Sequence, residues 1–193
     1  QDLNKVDTKM GDLYQKALKF DKDFVRTNQR NFLKGYKNCN SKESCTEFLY
    51  ERNAELSSYI KNYSANPDSC KFSKKIILAV QTNDINSLIS LIFQELKYGP
   101  RKKDMRDKDL SDVFTDEWIE AISSSLCGGE VRSNQYDISN GKLWYSSIGG
   151  KWGIIAINGF KEQKVASKTS IDWIYKGKLL SPYYFYIPSM SSD

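Results

Sequence analysis

Four cysteines, Cys39, Cys45, Cys70 and Cys127, and the complete absence of histidine constrain the chemistry of this chain more than any other feature of its composition. Without an imidazole there is no Ser-His-Asp or Cys-His arrangement, no usual general base near neutral pH, and no ligand set of the common zinc hydrolases. An even number of cysteines with no C-x-x-C pair favours two disulfides over a zinc site, with four buried thiols as the alternative. The carboxylate pairs Asp104/Asp107 and Asp116/Glu117 fall in loop and helix-start contexts, where solvation and capping explain them. Gly149-Gly150 lacks the Lys-Ser/Thr that a phosphate loop requires. Catalytic, cofactor-binding and metal-ligating residues are therefore all read as none, and the chain is read as a non-enzyme.

Binding chemistry is left. The formal net charge is +5, and the densest basic run, KYGPRKKDMRDK from Lys97 to Lys108, carries six cations against two anions. Lys97, Arg101, Lys102, Lys103 and Arg106 are the candidate contacts to a protein partner or an anionic polymer, against the plainer reading of a solvated loop after a helix. Nucleic-acid binding would want aromatics interleaved with these cations, and only Tyr98 is near, so no nucleic-acid partner is expected. Trp144, Tyr145 and Trp152 are candidate pocket or surface aromatics, with packing in a sheet as their other reading.

The elements that must position these residues are legible in the patterning. At 193 residues, with 39% apolar and 13% aromatic residues, the chain is long and greasy enough to bury a core, and we expect two units, residues 1–62 and 70–193. The longest apolar stretch, Ile76 to Leu96, is broken at Gln81–Asp84, so no transmembrane segment is expected. The chain opens at Gln1 rather than Met, from which the removal of a secretory signal peptide is expected.

In the first unit Leu13, Ala17, Phe20, Phe24, Phe32 and Tyr36 keep one face of a single long helix apolar, with Asn28 as its polar gap. Gly35 and the NCNSKES cluster end it. A second helix starts between Ser41 and Ser44, with Glu43 and Glu47 complementing its N-terminal dipole, and carries the stripe Cys45, Leu49, Arg52, Leu56, Tyr59. The two stripes make an antiparallel helical hairpin.

The string QRNFLKGYKNCNSKESCTEFLYERNAEL, Gln29 to Leu56, resembles the N-terminal domain of the LprI-type lysozyme-inhibitor family of bacterial envelope proteins. Phe32-Leu33 take the aromatic-Leu place, where Trp is more usual, and Cys39, Cys45, Tyr50, Arg52 and Leu56 fill the rest. Tyr36 stands where Arg is common. The resemblance covers residues 13–60. It implies export to the periplasm or the exterior and a Cys39 to Cys45 bridge, with Cys70 then pairing with Cys127. Tyr50 and Arg52 are read as helix-packing and capping residues.

After residue 70 the pattern changes. KKIILAVQTNDINSLISLIFQEL reads as two short helices separated at Thr82–Asp84, with Asn83 or Asp84 capping the second. FTDEWIEAISSSL reads as a helix starting at Thr115 and stopped by Gly128-Gly129. KLWYSSI and KWGIIAI flank Gly149-Gly150, a strong hairpin signal, and Tyr136–Ile138, Ile171–Tyr175 and Tyr183–Ile187 are further strands. Helices first and an antiparallel sheet after give an α+β class, and the order is similar to the NTF2-like cone fold, in which a curved sheet wraps a helix.

These readings lead to an exported bacterial envelope protein, non-catalytic, that binds and inhibits a cell-wall-acting hydrolase or toxin. The alternative is a ligand-binding or weakly enzymatic cone domain with the hairpin as accessory, and a third is a wall-polymer module using Lys97 to Lys108. Oligomeric state is not legible.

Overall fold

The computed structural model describes residues 3–94, 96 and 98–161. Residues 1–161 cluster into one compact unit. The order is α1 (Leu3–Ala17), α2 (Lys22–Tyr36), α3 (Lys42–Ala65), α4 (Pro67–Gln81), α5 (Ile85–Ser90), α6 (Lys102–Met105), α7 (Leu110–Val113) and α8 (Asp116–Ser124), followed by strands β1 (Gly129–Arg132), β2 (Gln135–Ile138), β3 (Leu143–Ile148) and β4 (Lys151–Ile157). The class is α+β, helices first, then an open antiparallel sheet in the order β1-β2-β3-β4. The strands expected at Ile171–Tyr175 and Tyr183–Ile187 lie outside the described residues.

The long helix expected through Leu13 to Tyr36 is two helices. Asp21 interrupts it, because its Oδ1 accepts the Phe24 N–H at 3.2 Å and so caps a fresh start, while Oδ2 pairs with Lys74 Nζ of α4 at 2.6 Å. A residue that satisfies an orphan N–H at the new helix start favours the break over continuation. Phe20, in the resulting turn, stacks on Tyr63 of α3 with ring centroids 4.9 Å apart. The break lets α1 lie along α3 as well, with Asn53 Nδ2 donating to the Val6 carbonyl at 3.1 Å.

Other starts follow local chemistry. Ser41 and Ser44 form a reciprocal capping box at α3. Asn66 ends α3 and caps α4, whose first residue is Pro67, a position where the missing N–H costs nothing. Of the two candidates Asn83 and Asp84 it is Asp84 that caps α5, and Thr115, where the sequence starts α8, caps that helix.

The sheet turns at Gly149-Gly150, whose φ values of 58° and 75° suit a two-residue hairpin that side chains would strain. Its inner face is filled: Tyr136, Ile138, Leu143, Tyr145, Ile154 and Ile157 are buried against Phe72, Ile76 and Trp118 in one continuous core. The segment after α5 covers the free edge of β4, with Ile154 N–H donating to Leu91 O and Ile157 N–H to Tyr98 O. An otherwise open strand edge is thereby occupied.

Two disulfides close the chain. Cys39–Cys45 joins the end of α2 to the start of α3, with Cα atoms 5.3 Å apart. Cys70–Cys127 joins α4 to the residues just before β1, across 57 positions, at 5.0 Å.

Candidate functional site

The Cys39–Cys45 bridge closes a short loop, Asn40 to Ser44, every residue of which is exposed. Below it, three half-buried rings join α2 to α3: Phe32 and Phe48 lie 5.2 Å apart, Tyr36 and Phe48 6.3 Å, and Phe32 and Tyr36 6.0 Å. Stapled loop and aromatic collar form a rigid projection. Such pairs contribute beyond their buried area and lose few rotatable bonds when they touch something else.

The projection rests on a buried charge. Arg52, 1% exposed, donates from Nε to Gln29 Oε1 at 3.0 Å, and from Nη1 to Asn28 Oδ1 at 2.7 Å and Glu55 Oε2 at 2.9 Å. Its guanidinium also lies over the Phe32 ring, 5.1 Å from the centroid. Nη2 is buried without a partner. Burial pulls the Arg52 pKa down and Glu55 opposes this; burial likewise pushes Glu55 up, opposed by Arg52. Asn28 carries the network onward, its Nδ2 donating to the carbonyls of Ser124 and Ser125 at the end of α8. The arrangement fixes α2, α3 and α8 relative to one another through one fork-shaped cation.

Both polar members had left a sign in the sequence: Asn28 and Arg52 are the polar interruptions in two otherwise apolar stripes. What spacing alone did not show is that the two interruptions face each other. Arg52 is a packing residue, as expected, whereas Tyr50 is 43% exposed and points away from the core.

Beside the projection, α1 and α2 diverge and leave a groove of about 330 Å³ whose lining includes Met10, Tyr14, Gln29 and Leu33, with Arg26 and Arg30 among its residues. Gln29 is 7% exposed, and its Nε2 has only the Met10 sulfur, at 3.8 Å, as partner. On the other helix a shallow hollow is lined by Glu43, Thr46, Glu47, Tyr50 and Glu51 of α3, together with Lys42.

The basic run is spread rather than concentrated. Lys97 lies outside the described residues. Arg101 pairs with Asp104 at 2.5 Å, and Lys102 donates to the Ile92 carbonyl at 3.0 Å, which pins α6. Met105 in the same turn is fully buried, and Arg101, Lys103 and Arg106 are the exposed cations of the set among the described residues. The aromatics of the sheet go largely to packing. Tyr145 is fully buried, with its hydroxyl 2.8 Å from Ser69 Oγ, Trp152 stacks with Phe72, and Trp144 Nε1 donates to the Gly141 carbonyl. The Glu117 carboxylate is taken by Lys142 at 2.6 Å. Among the described residues no three Cys, Asp or Glu side chains converge as a metal site would require.

No protein-family model, no curated protein and no solved structure matches the chain.

Proposed function

We propose that this is an exported, non-catalytic binding protein of the bacterial envelope, which docks its stapled tip on a cell-wall-acting hydrolase or toxin and inhibits it. The observation that carries the reading is the Cys39–Cys45 bridge, which holds an exposed loop on an aromatic collar braced by Arg52. A loop whose conformation is already fixed loses little entropy on binding. Two disulfides support an oxidising compartment, periplasmic or secreted. The lack of histidine supports a role without acid-base chemistry. The resemblance of Gln29 to Leu56 to LprI-type proteins supports both the helical hairpin and the class of partner. With a formal charge of +5 the chain is steered toward acidic surfaces rather than basic ones.

Helices laid against an open antiparallel sheet also support the NTF2-like reading of the α+β part. In this protein that part serves as the scaffold on which the hairpin stands.

Calorimetric titration against a panel of muramidases and amidases, paired with lysis assays, tests the proposal. Saturable binding with reduced lysis, both lost in Cys39→Ser/Cys45→Ser, is the expected result. An absence of binding and of inhibition across the panel would overturn it.

A further inference from the structure

The groove between α1 and α2 holds a pair of cations and a buried donor that its own walls leave unused. Arg26 and Arg30, one turn apart on α2, are exposed and make no ion pair among the described residues. Among the described residues no acidic side chain lines the groove. Its apolar surface is equally unclaimed. Leu33 is 40% exposed, and a Cβ on Gly11 of the opposite wall would meet nothing within 4 Å.

The donor is Gln29, which is 7% exposed. Its amide is oriented from the core side, because Arg52 Nε donates to Oε1 at 3.0 Å and so turns Nε2 the other way. Nε2 is left with the Met10 sulfur at 3.8 Å, and Gln29 and Met10 both line the groove. A thioether is a weak acceptor, so a buried amide N–H at this place gains by meeting an oxygen.

We propose that this groove is a docking site for an extended acidic segment of a partner protein, one in which carboxylate and apolar side chains alternate. Spacing selects that pattern. Four residues of helix set Arg26 and Arg30 about 6 Å apart along α2, and residues i and i+2 of an extended chain recur at about 6.8 Å on one side. Alternate carboxylates therefore meet the two guanidiniums. The residues between them point the opposite way, toward Met10, Gly11 and Tyr14 of α1. With side chains directed at both walls, the backbone carbonyls project into and out of the groove, and an inward one accepts from Gln29 Nε2. The stretch from Arg26 to Leu33 is about 10 Å of helix, the length of three extended residues. The site does not involve the Asn40 to Ser44 loop, so the assignment stands whether or not the stapled tip docks on a hydrolase.

Fluorescence anisotropy on the full chain, with a labelled and end-capped Gly-Glu-Leu-Glu-Leu-Gly peptide, tests this. We expect saturable binding below roughly 1 mM, and at least tenfold weaker binding, to an order of magnitude, for the order Glu-Glu-Leu-Leu and for the neutral Gln-Leu-Gln-Leu peptide. Arg26→Glu/Arg30→Glu is expected to lose about tenfold or more in affinity. Gly11→Leu keeps every charge, puts a side chain into the groove, and is expected to weaken binding to a similar degree while the circular dichroism spectrum stays that of the wild type. Heteronuclear NMR locates the peptide: the Gln29 side-chain amide protons are expected to move downfield as a carbonyl replaces the sulfur. A lack of saturation by roughly 1 mM would overturn the proposal. So would equal affinity for the two peptide orders, indifference to both variants, or a Gln29 amide signal that does not move at saturation.

Discussion

Arg52 sits where its neighbours on α3, Leu49 and Leu56, are wholly apolar, and its fork is spread over Asn28, Gln29 and Glu55. Truncating it leaves two buried amide oxygens without donors, so Arg52→Ala should destabilise by about 3 kcal/mol in urea unfolding. Arg52→Lys should also destabilise, because a single ammonium cannot reproduce two separate edges of a guanidinium. Asp137 makes a pH-dependent contribution. Burial holds its carboxyl above the ordinary range, opposed by the Gly141 N–H that donates to Oδ2. The folded state thus keeps this proton to higher pH than the unfolded chain, and this group's contribution to stability falls as pH rises above about 4. Asp137→Asn retains an acceptor and loses the charge. Urea midpoints followed from about pH 4 to 6 should decline less steeply in the variant than in the wild type. Such residues were only half legible beforehand: the sequence marks Arg52 as a polar interruption, but its partners come from another helix and from the end of α8.

Helix boundaries were read best where a capping side chain states them. The starts expected between Ser41 and Ser44 and at Thr115 are capped by Ser41 and Thr115, Asp84 rather than Asn83 caps α5, and the Gly-Gly turn sits between β3 and β4. At Asp21 an apolar period running on through Phe20 and Phe24 hides a cap whose advantage includes Lys74 of a distant helix. The short helices α6 and α7 carry too few residues for any periodicity, and Met105, Leu110 and Val113 fix them only through burial in the common core. Two glycines contrast the demands of strand and helix. A Cβ at Gly153 of β4 would fall 2.5 Å from the Phe93 ring, so Gly153→Ala should cost on the order of 2 kcal/mol. A Cβ at Gly11 of α1 would meet nothing within 4 Å, so Gly11→Ala should stabilise by roughly 0.5–1 kcal/mol. Thermal unfolding of both variants, beside the wild type, checks the pair.

For the whole molecule, the α+β class, the helices-first order and the presence of disulfides were legible from composition and pattern. The filling of the sheet's inner face was not, since it depends on Phe72, Trp118 and Tyr145 meeting across long separations. The two bridges should differ in effect. In the chain-entropy account the loop closed by Cys70–Cys127 is worth about 4 kcal/mol and that of Cys39–Cys45 about 2 kcal/mol. Cys70→Ser/Cys127→Ser should therefore lower the urea midpoint more than Cys39→Ser/Cys45→Ser, which should spare the core and affect the tip.

The connectivity Cys39–Cys45 and Cys70–Cys127 has a bearing on how the protein is made. Of the three ways to pair four cysteines, it is the one that pairs the first with the second and the third with the fourth in chain order. On the exported reading proposed above, an oxidase acting on the chain as it enters an oxidising space would link Cys39 to Cys45 before Cys70 had arrived, and then Cys70 to Cys127. Maturation would need an oxidant but no reshuffling of wrong pairs, so the yield of folded protein should be indifferent to the loss of a disulfide isomerase.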